Sequence, residues 1–281
     1  MTDRFINING RVVSEAKSGL SVQNRAYKFG DSVFETIRVI NGRPLFLEDH
    51  FSRMSRAIKI LKYDTPSDWS ISFCKKEIEK LLEQNGISRG GKVRFTLFRN
   101  SGGLYIPKNN DMGYSIEATV GESNNFQLSN DGILLGIYNE IRLNASIISP
   151  FKTNNCLPYI MAGLSLKDSK FNDVLLLNMQ SSIVEAISSN VFILIDGILY
   201  TPPVKDGCVA GVMRKKIIQI CKKINVPVVE TSVNEEIISR AEEIFLTNAI
   251  SGIKWVKAFE KTRFFHKLSE RLVNELNRIS N

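Results

Sequence analysis

Four short stretches of this chain carry residues that could do chemistry together. The first is "SPFKTNNCLPYI" (149–160), where Lys152 follows a Ser-Pro break in a run with no other charge. Desolvation disfavours an ammonium, so a Lys in such surroundings gives up its proton more easily, and a neutral amine can form a Schiff base. The second is "VEAISSNVF" (184–192), where Glu185 precedes a strand that Asn190 enters. A carboxylate facing a pyridine nitrogen keeps that nitrogen protonated and the ring an electron sink. The third is "TPPVKDGCVAGVMRKK" (201–216), a Pro-rich turn into a helix with Gly211 in its first turn. Free N–H groups and the positive end of the dipole make a helix start an anion site. The fourth is "DHFSRM" (49–54), where Arg53 lies off the apolar stripe of its helix, suited to a bidentate grip on phosphate. Three of the stretches have a bland reading: a helix-entry Lys, a solvated turn carboxylate, a common Gly turn. Amine, acid, phosphate cup and clamp together are the parts of a pyridoxal phosphate site.

The elements that must position them are mixed. "RFINING" and "SVFETIRVINGRPL" read as strands turning at Asn9-Gly10 and Asn41-Gly42. Phe51, Met54, Ile58 and Leu61 recur at helical spacing, and "DWSISFCKKEIEKLLEQNG" is a second helix that stops at Asn85-Gly86. In "KVRFTLFR", Val93, Phe95 and Leu97 alternate with Arg94 and Thr96. "ILLGIY", "DVLLLNM" and "EIFLTNA" read as strands, "VFILIDGILY" as a hairpin on Asp196-Gly197, and "RAYKF" and "GGLYIP" as loops. "NCLPYIMAGLSLKDSK", "AGVMRKKIIQICKKI", "NEEIISRA" and "HKLSERLVNELNRI" read as helices. The polar stretch "GESNNFQLSNDG" (121–132) is the best linker. The expectation is an α+β fold of two domains, 1–123 and 133–281, joined by residues 124–132, with the candidate Schiff-base Lys in the second.

Bulk numbers narrow the function. At 281 residues the chain is long enough for two domains, and 43% apolar with 23% charged residues is the mix of a globular protein. The N-terminus is polar and no apolar run reaches bilayer length, so a cytoplasmic protein is expected, with no membrane partner. Four Cys are scattered without a C-x-x-C pair and only two His are present, which argues against disulfide staples and metal centres. A net charge of +8 would suit a nucleic-acid binder, but the cations are spread along the chain, so no nucleic-acid partner is expected.

The chain resembles the fold-type IV pyridoxal-phosphate enzymes: the class IV aminotransferases (branched-chain and D-amino-acid types) and 4-amino-4-deoxychorismate lyase. Glu185, Asn190, Val191-Phe192, Thr201, Gly211 and Arg214 stand at the spacings of the family's most specific motif. Residues 29–54 resemble its N-terminal signature, "KTNNCLPYIMA" the segment around its Schiff-base Lys, and "AEEIFLTNAISGI" its last site loop. The resemblance implies a two-domain enzyme with pyridoxal 5′-phosphate in the cleft between domains. It implies Lys152 as catalytic residue and covalent attachment point, with Glu185 at the pyridine nitrogen. Arg53, the backbone of Val212 and Met213, and Ala249 would hold the phosphate. Met213 and Ala249 stand where the family often has Thr, which removes two hydroxyls from that cup. Substrate contacts are implied at Phe34, Thr36, Arg94 and Asn248. Thr36 and Asn248-Ala249 lean towards the lyase, and a branched-chain or D-amino-acid transaminase is the alternative. A non-catalytic scaffold is a third reading. The resemblance also implies a homodimer acting on a small amino substrate, with the loop around Tyr105 crossing to the partner.

Overall fold

The computed structural model describes residues 4–121 and 123–280, so Glu122, at the expected end of the first domain, lies outside the described residues. The chain forms two compact units: Met1–Asn125 with Phe151–Asn155, and Phe126–Pro150 with Cys156–Asn281.

The first unit is a sheet with helices on one face. Its strands are β1 (Phe5–Ile8), β2 (Arg11–Ser14), β3 (Ser32–Ile40), β4 (Arg43–Pro44), β5 (Gly91–Arg99) and β6 (Met112–Val120), in the order β2-β1-β6-β5-β3-β4. The helices are α1 (Arg25–Phe29), α2 (Leu47–Leu61) and α3 (Ile71–Gln84). Strand alternation decides which face meets them. Ile37 and Val39 of β3, Val93, Phe95 and Leu97 of β5, and Tyr114 and Ile116 of β6 are buried against Met54, Ala57 and Ile58 of α2 and Ile78 and Leu81 of α3. Phe34, Thr36 and Arg94 project from the opposite face and are only partly buried. "RAYKF", expected as a loop, is α1: the Asn24 side chain caps its start by accepting from Ala26 N–H, and Gly30 ends it in the left-handed region.

The second unit is built on a nine-stranded sheet. Its strands are β7 (Ile133–Leu143), β8 (Asp173–Asn178), β9 (Ile183–Ala186), β10 (Asn190–Ile195), β11 (Ile198–Thr201), β12 (Val228–Glu230), β13 (Glu243–Asn248), β14 (Gly252–Phe259) and β15 (Thr262–Arg263). They run in the order β12-β11-β10-β13-β14-β7-β8-β9, with β15 paired to β14. Its helices are α4 (Leu157–Leu164), α5 (Val212–Lys223), α6 (Glu235–Ile238) and α7 (Lys267–Arg278). The turns Asn9-Gly10, Asn41-Gly42 and Asp196-Gly197 all have both residues at positive φ, the geometry that matches strand twist in two-residue hairpins.

Two sequence expectations need correction. The expected linker 124–132 is not a free connector, because Phe126 is 2% exposed and Asn277 of α7 brackets it, accepting from its N–H (2.7 Å) and donating to its carbonyl (2.9 Å). Residues 126–132 therefore belong to the second unit. Lys152, expected in the second domain, belongs to the first. Residues 151–155 lie along the edge of β3: Phe34 N–H donates to the Lys152 carbonyl (2.8 Å), Asn154 N–H donates to the Ser32 carbonyl (3.2 Å), and Thr153 bridges Val33. The backbone groups of an open sheet edge need partners, and this short segment supplies them.

Candidate active site

Lys152 and Asn154 are the outward neighbours of Thr153, so they share the open face of the first sheet with Phe34. Lys152 Nζ lies 5.0 Å from the centroid of the Phe34 ring. The Arg94 guanidinium carbon lies 3.6 Å from the same centroid, and Arg94 Nη2 donates to Asn154 Oδ1 (2.9 Å). Thr36 sits directly across from Arg94 in the β3–β5 register. Four sequence-predicted residues, Lys152, Phe34, Thr36 and Arg94, thus share one face. Arg99 does not join them. It lies on the helix side at 7% exposure, where Nε donates to Asp31 (2.9 Å) and Nη2 to the last-turn carbonyl of Leu61 (2.7 Å).

Arg53 was expected off the apolar stripe of α2, but it is 4% exposed. Its Nε donates to Glu35 Oε1 (2.7 Å) and its Nη2 to Glu35 Oε2 (2.5 Å), while His50 Nδ1 lies 2.6 Å from Oε2. Helical spacing from His50 to Arg53 brings both to one carboxylate from adjacent turns. Burial raises the Glu35 pKa, but the Arg53 charge and the hydrogen bonds from Arg53 and His50 outweigh it and hold the carboxyl at about 2. The folded value is below the unfolded one, so this cluster stabilises the fold fully above the ordinary carboxylate range near 4.5 and loses that contribution as pH falls towards 2. Glu35→Gln leaves Arg53 buried without its counter-charge. It should cost about 3–5 kcal/mol and flatten the acid limb between those pH values, read from urea midpoints across pH.

In the second unit Glu185 precedes β10, the strand that Asn190 opens, but lies in a short strand of its own, β9, and is 4% exposed. The Tyr159 hydroxyl donates to Oε1 (2.7 Å) and Val209 N–H donates to Oε2 (3.1 Å). Burial pushes the Tyr159 phenol pKa up and the Glu185 charge adds to it, so Tyr159 stays a proton donor. Sequence reasoning missed Tyr159: it stands in the first turn of a Pro-containing helix, 26 residues from Glu185, with no local signal of the pairing.

Asn190 Nδ2 donates to the Val209 carbonyl (2.9 Å), and a Cβ on Gly211 would stand 2.0 Å from Asn190 Oδ1. Gly is required at 211 for space, since its φ of −62° suits any residue. Gly211 is the N-cap of α5 without a side-chain cap, so the first N–H groups, those of Val212 and Met213, point away from any intrahelical partner. Val212 and Met213 are buried at 5% and 1%. Asn248, expected at the substrate, organises the turn after β13: its Oδ1 accepts from Ile250 and Ser251 N–H (3.0 and 2.8 Å) and its Nδ2 donates to Ser189 (3.0 Å). Ala249 follows it in that turn. Among the described residues, no group of three or more His, Cys, Asp or Glu could hold a metal ion.

In the second unit, a held, buried carboxylate and an uncapped helix start tightened by a space-requiring Gly suit the ring nitrogen and the phosphate of pyridoxal phosphate; in the first unit, an amine on a polar strand end suits its aldehyde. Residues 32–259 match the family model for amino-transferase class IV. The chain belongs to this family. Its cofactor is pyridoxal 5′-phosphate, and the protein is a cofactor-dependent enzyme of the lyase and transaminase group. A Methanocaldococcus jannaschii protein, provisionally named a branched-chain-amino-acid aminotransferase, is 28% identical over 91% of this chain and 87% of its own. The aminodeoxychorismate lyase of Vibrio harveyi is 26% identical over 90% of this chain and 94% of its own. The branched-chain aminotransferase of Thermoproteus uzoniensis, solved with norvaline, shares the fold with a TM-score of 0.90 at 22% identity, covering 99% of this chain and 95% of that one. Relatives of the family thus include both reaction types.

Proposed function

We propose that this class IV enzyme binds its cofactor through the Lys152 amine and the Glu185 carboxylate, and holds its substrate's carboxylate at Arg94. The observation that carries this reading is the open face of the first sheet, where Lys152 and Arg94 flank one Phe34 ring at 5.0 and 3.6 Å. When bound, pyridoxal phosphate supplies a carbonyl that condenses with an amine and a ring that draws electrons from the carbon next to it. The chain's own residues do the rest. Lys152 Nζ moves a proton at the substrate carbon, Glu185 holds a proton at the pyridine nitrogen, and Tyr159 with Val209 N–H fixes Glu185. Val212 and Met213 N–H groups receive the phosphate, with Arg53 as the cationic clamp and Ala249 beside it. Arg53 serves while its Nε and Nη2 stay on Glu35, which fixes the orientation of the guanidinium.

Within the family, the reading leans to 4-amino-4-deoxychorismate lyase, releasing pyruvate and 4-aminobenzoate. Its support is Thr36, which stands across from Arg94 with a hydroxyl where a transaminase of the branched-chain type usually has Gly. Incubation with 4-amino-4-deoxychorismate should release pyruvate without an amino acceptor. Exchange of L- or D-amino acids with 2-oxoglutarate, and no pyruvate, would instead assign transamination.

We also propose a homodimer. Leu104, Tyr105 and Ile106 are 70%, 90% and 86% exposed, on a loop whose base Arg25 holds by donating to the carbonyls of Gly102 (3.1 Å) and Leu104 (2.6 Å). Three large apolar side chains held outwards suit burial against a second copy, with Tyr105 lending part of the partner's site wall. Sedimentation at micromolar concentration should give twice 31.7 kDa. A fully active monomer would contradict it. Among the described residues no helix is long and apolar enough to cross a membrane.

A further inference from the structure

The helix start of α5 lacks both hydroxyls that Thr at 213 and 249 would supply, yet a third hydroxyl lies on the sheet face from which Asn190 meets that start. Thr247, next to last in β13, is 2% exposed, and its Oγ1 has no hydrogen-bond partner among the described residues. A buried hydroxyl without a partner costs free energy that native proteins rarely leave unrecovered. Thr247 is directly opposite Asn190 in the β10–β13 register, so the two side chains share a face. Asn190 is the residue that presses on Gly211 at the start of α5. The same face carries Phe245 and Glu243 at alternate positions of β13, where Phe245 stacks on Phe192 (5.2 Å between ring centroids) and Glu243 accepts from two N–H groups of the first turn of α7, Leu268 (2.9 Å) and Ser269 (2.6 Å). Glu243 of that row is thereby satisfied, and Thr247, opposite the Asn190 that meets the start of α5, is not.

We infer that Thr247 Oγ1 is a phosphate donor of this enzyme, taking over the role that Met213 and Ala249 cannot fill. The hydroxyl donates to a phosphate oxygen that the Val212 and Met213 N–H groups also receive, and so binds the phosphate of the cofactor rather than its ring. The inference rests on the cofactor reading above. It separates the phosphate from the rest of the molecule, which makes it testable apart from that reading.

Apo wild type, Thr247→Val and Thr247→Ser are titrated with pyridoxal 5′-phosphate and, separately, with pyridoxal, following the absorbance of the bound cofactor. Thr247→Val should weaken pyridoxal phosphate about 10- to 100-fold, the size of a lost hydrogen bond to a charged group, and leave pyridoxal within about twofold. Thr247→Ser should return pyridoxal phosphate to within about threefold. Removing an unsatisfied hydroxyl should also raise the apo Tm of Thr247→Val by about 2–4 °C and shrink the gain in Tm on adding pyridoxal phosphate. Unchanged pyridoxal phosphate affinity in Thr247→Val, or equal weakening of both ligands, overturns the inference while wild-type binding upholds the cofactor reading. Absence of pyridoxal phosphate binding in wild type overturns both.

Discussion

Lys152→Ala should lower turnover about 10⁴-fold if, as proposed, one amine both attaches the cofactor and moves the substrate proton. The fold should be unaffected, since the pairing of this segment with β3 runs through the main chain: Phe34 N–H donates to the Lys152 carbonyl, which Ala retains. Loss of the side chain, which is only partly buried, should change stability by about 0.5 kcal/mol or less. A small added amine such as methylamine should restore part of the activity without restoring covalent attachment. Turnover within about tenfold of wild type would remove Lys152 from the mechanism.

Glu185→Gln should keep the cofactor bound and raise the barrier to proton removal by roughly 2–5 kcal/mol, about 30-fold to several thousandfold in rate. The amide preserves shape and can still accept from Tyr159 or Val209 N–H, so a fall in rate reports charge at the pyridine nitrogen rather than packing. Tyr159→Phe tests the support: it removes one donor from Glu185 and should produce a smaller fall in the same step. Activity of Glu185→Gln within about threefold of wild type would exclude the role.

The parts of this protein that were legible in the sequence are those whose cause is local. Asn-Gly and Asp-Gly turned the three hairpins because those residues tolerate positive φ, and the alternation of Val93, Phe95 and Leu97 against Arg94 and Thr96 gave the two faces of β5. The spacing of Glu185, Asn190 and Gly211 reflects a contact that is local in structure, with Asn190 holding the Val209–Gly211 turn. What was not legible depends on distant chain. Lys152 joins the first unit through an edge pairing with β3, and no residue near 152 records that. Arg53 was placed only off the apolar stripe of its helix, with no sign of burial, but Glu35 lies two strand positions beyond Val33 on the buried face and draws it in. Tyr159 and Thr247 were missed for the same reason. The one available signal was weak: in "EIFLTN", Glu243 and Thr247 are polar residues at the parity of buried Phe245.

Borohydride reduction of the enzyme with bound pyridoxal phosphate, followed by peptide mapping, tests the central claim most directly. A pyridoxyl group is expected on Lys152, in the peptide "TNNCLPYIMAGLSLK" joined through an uncleaved bond to the Lys before it. A pyridoxyl group on any other Lys would contradict it.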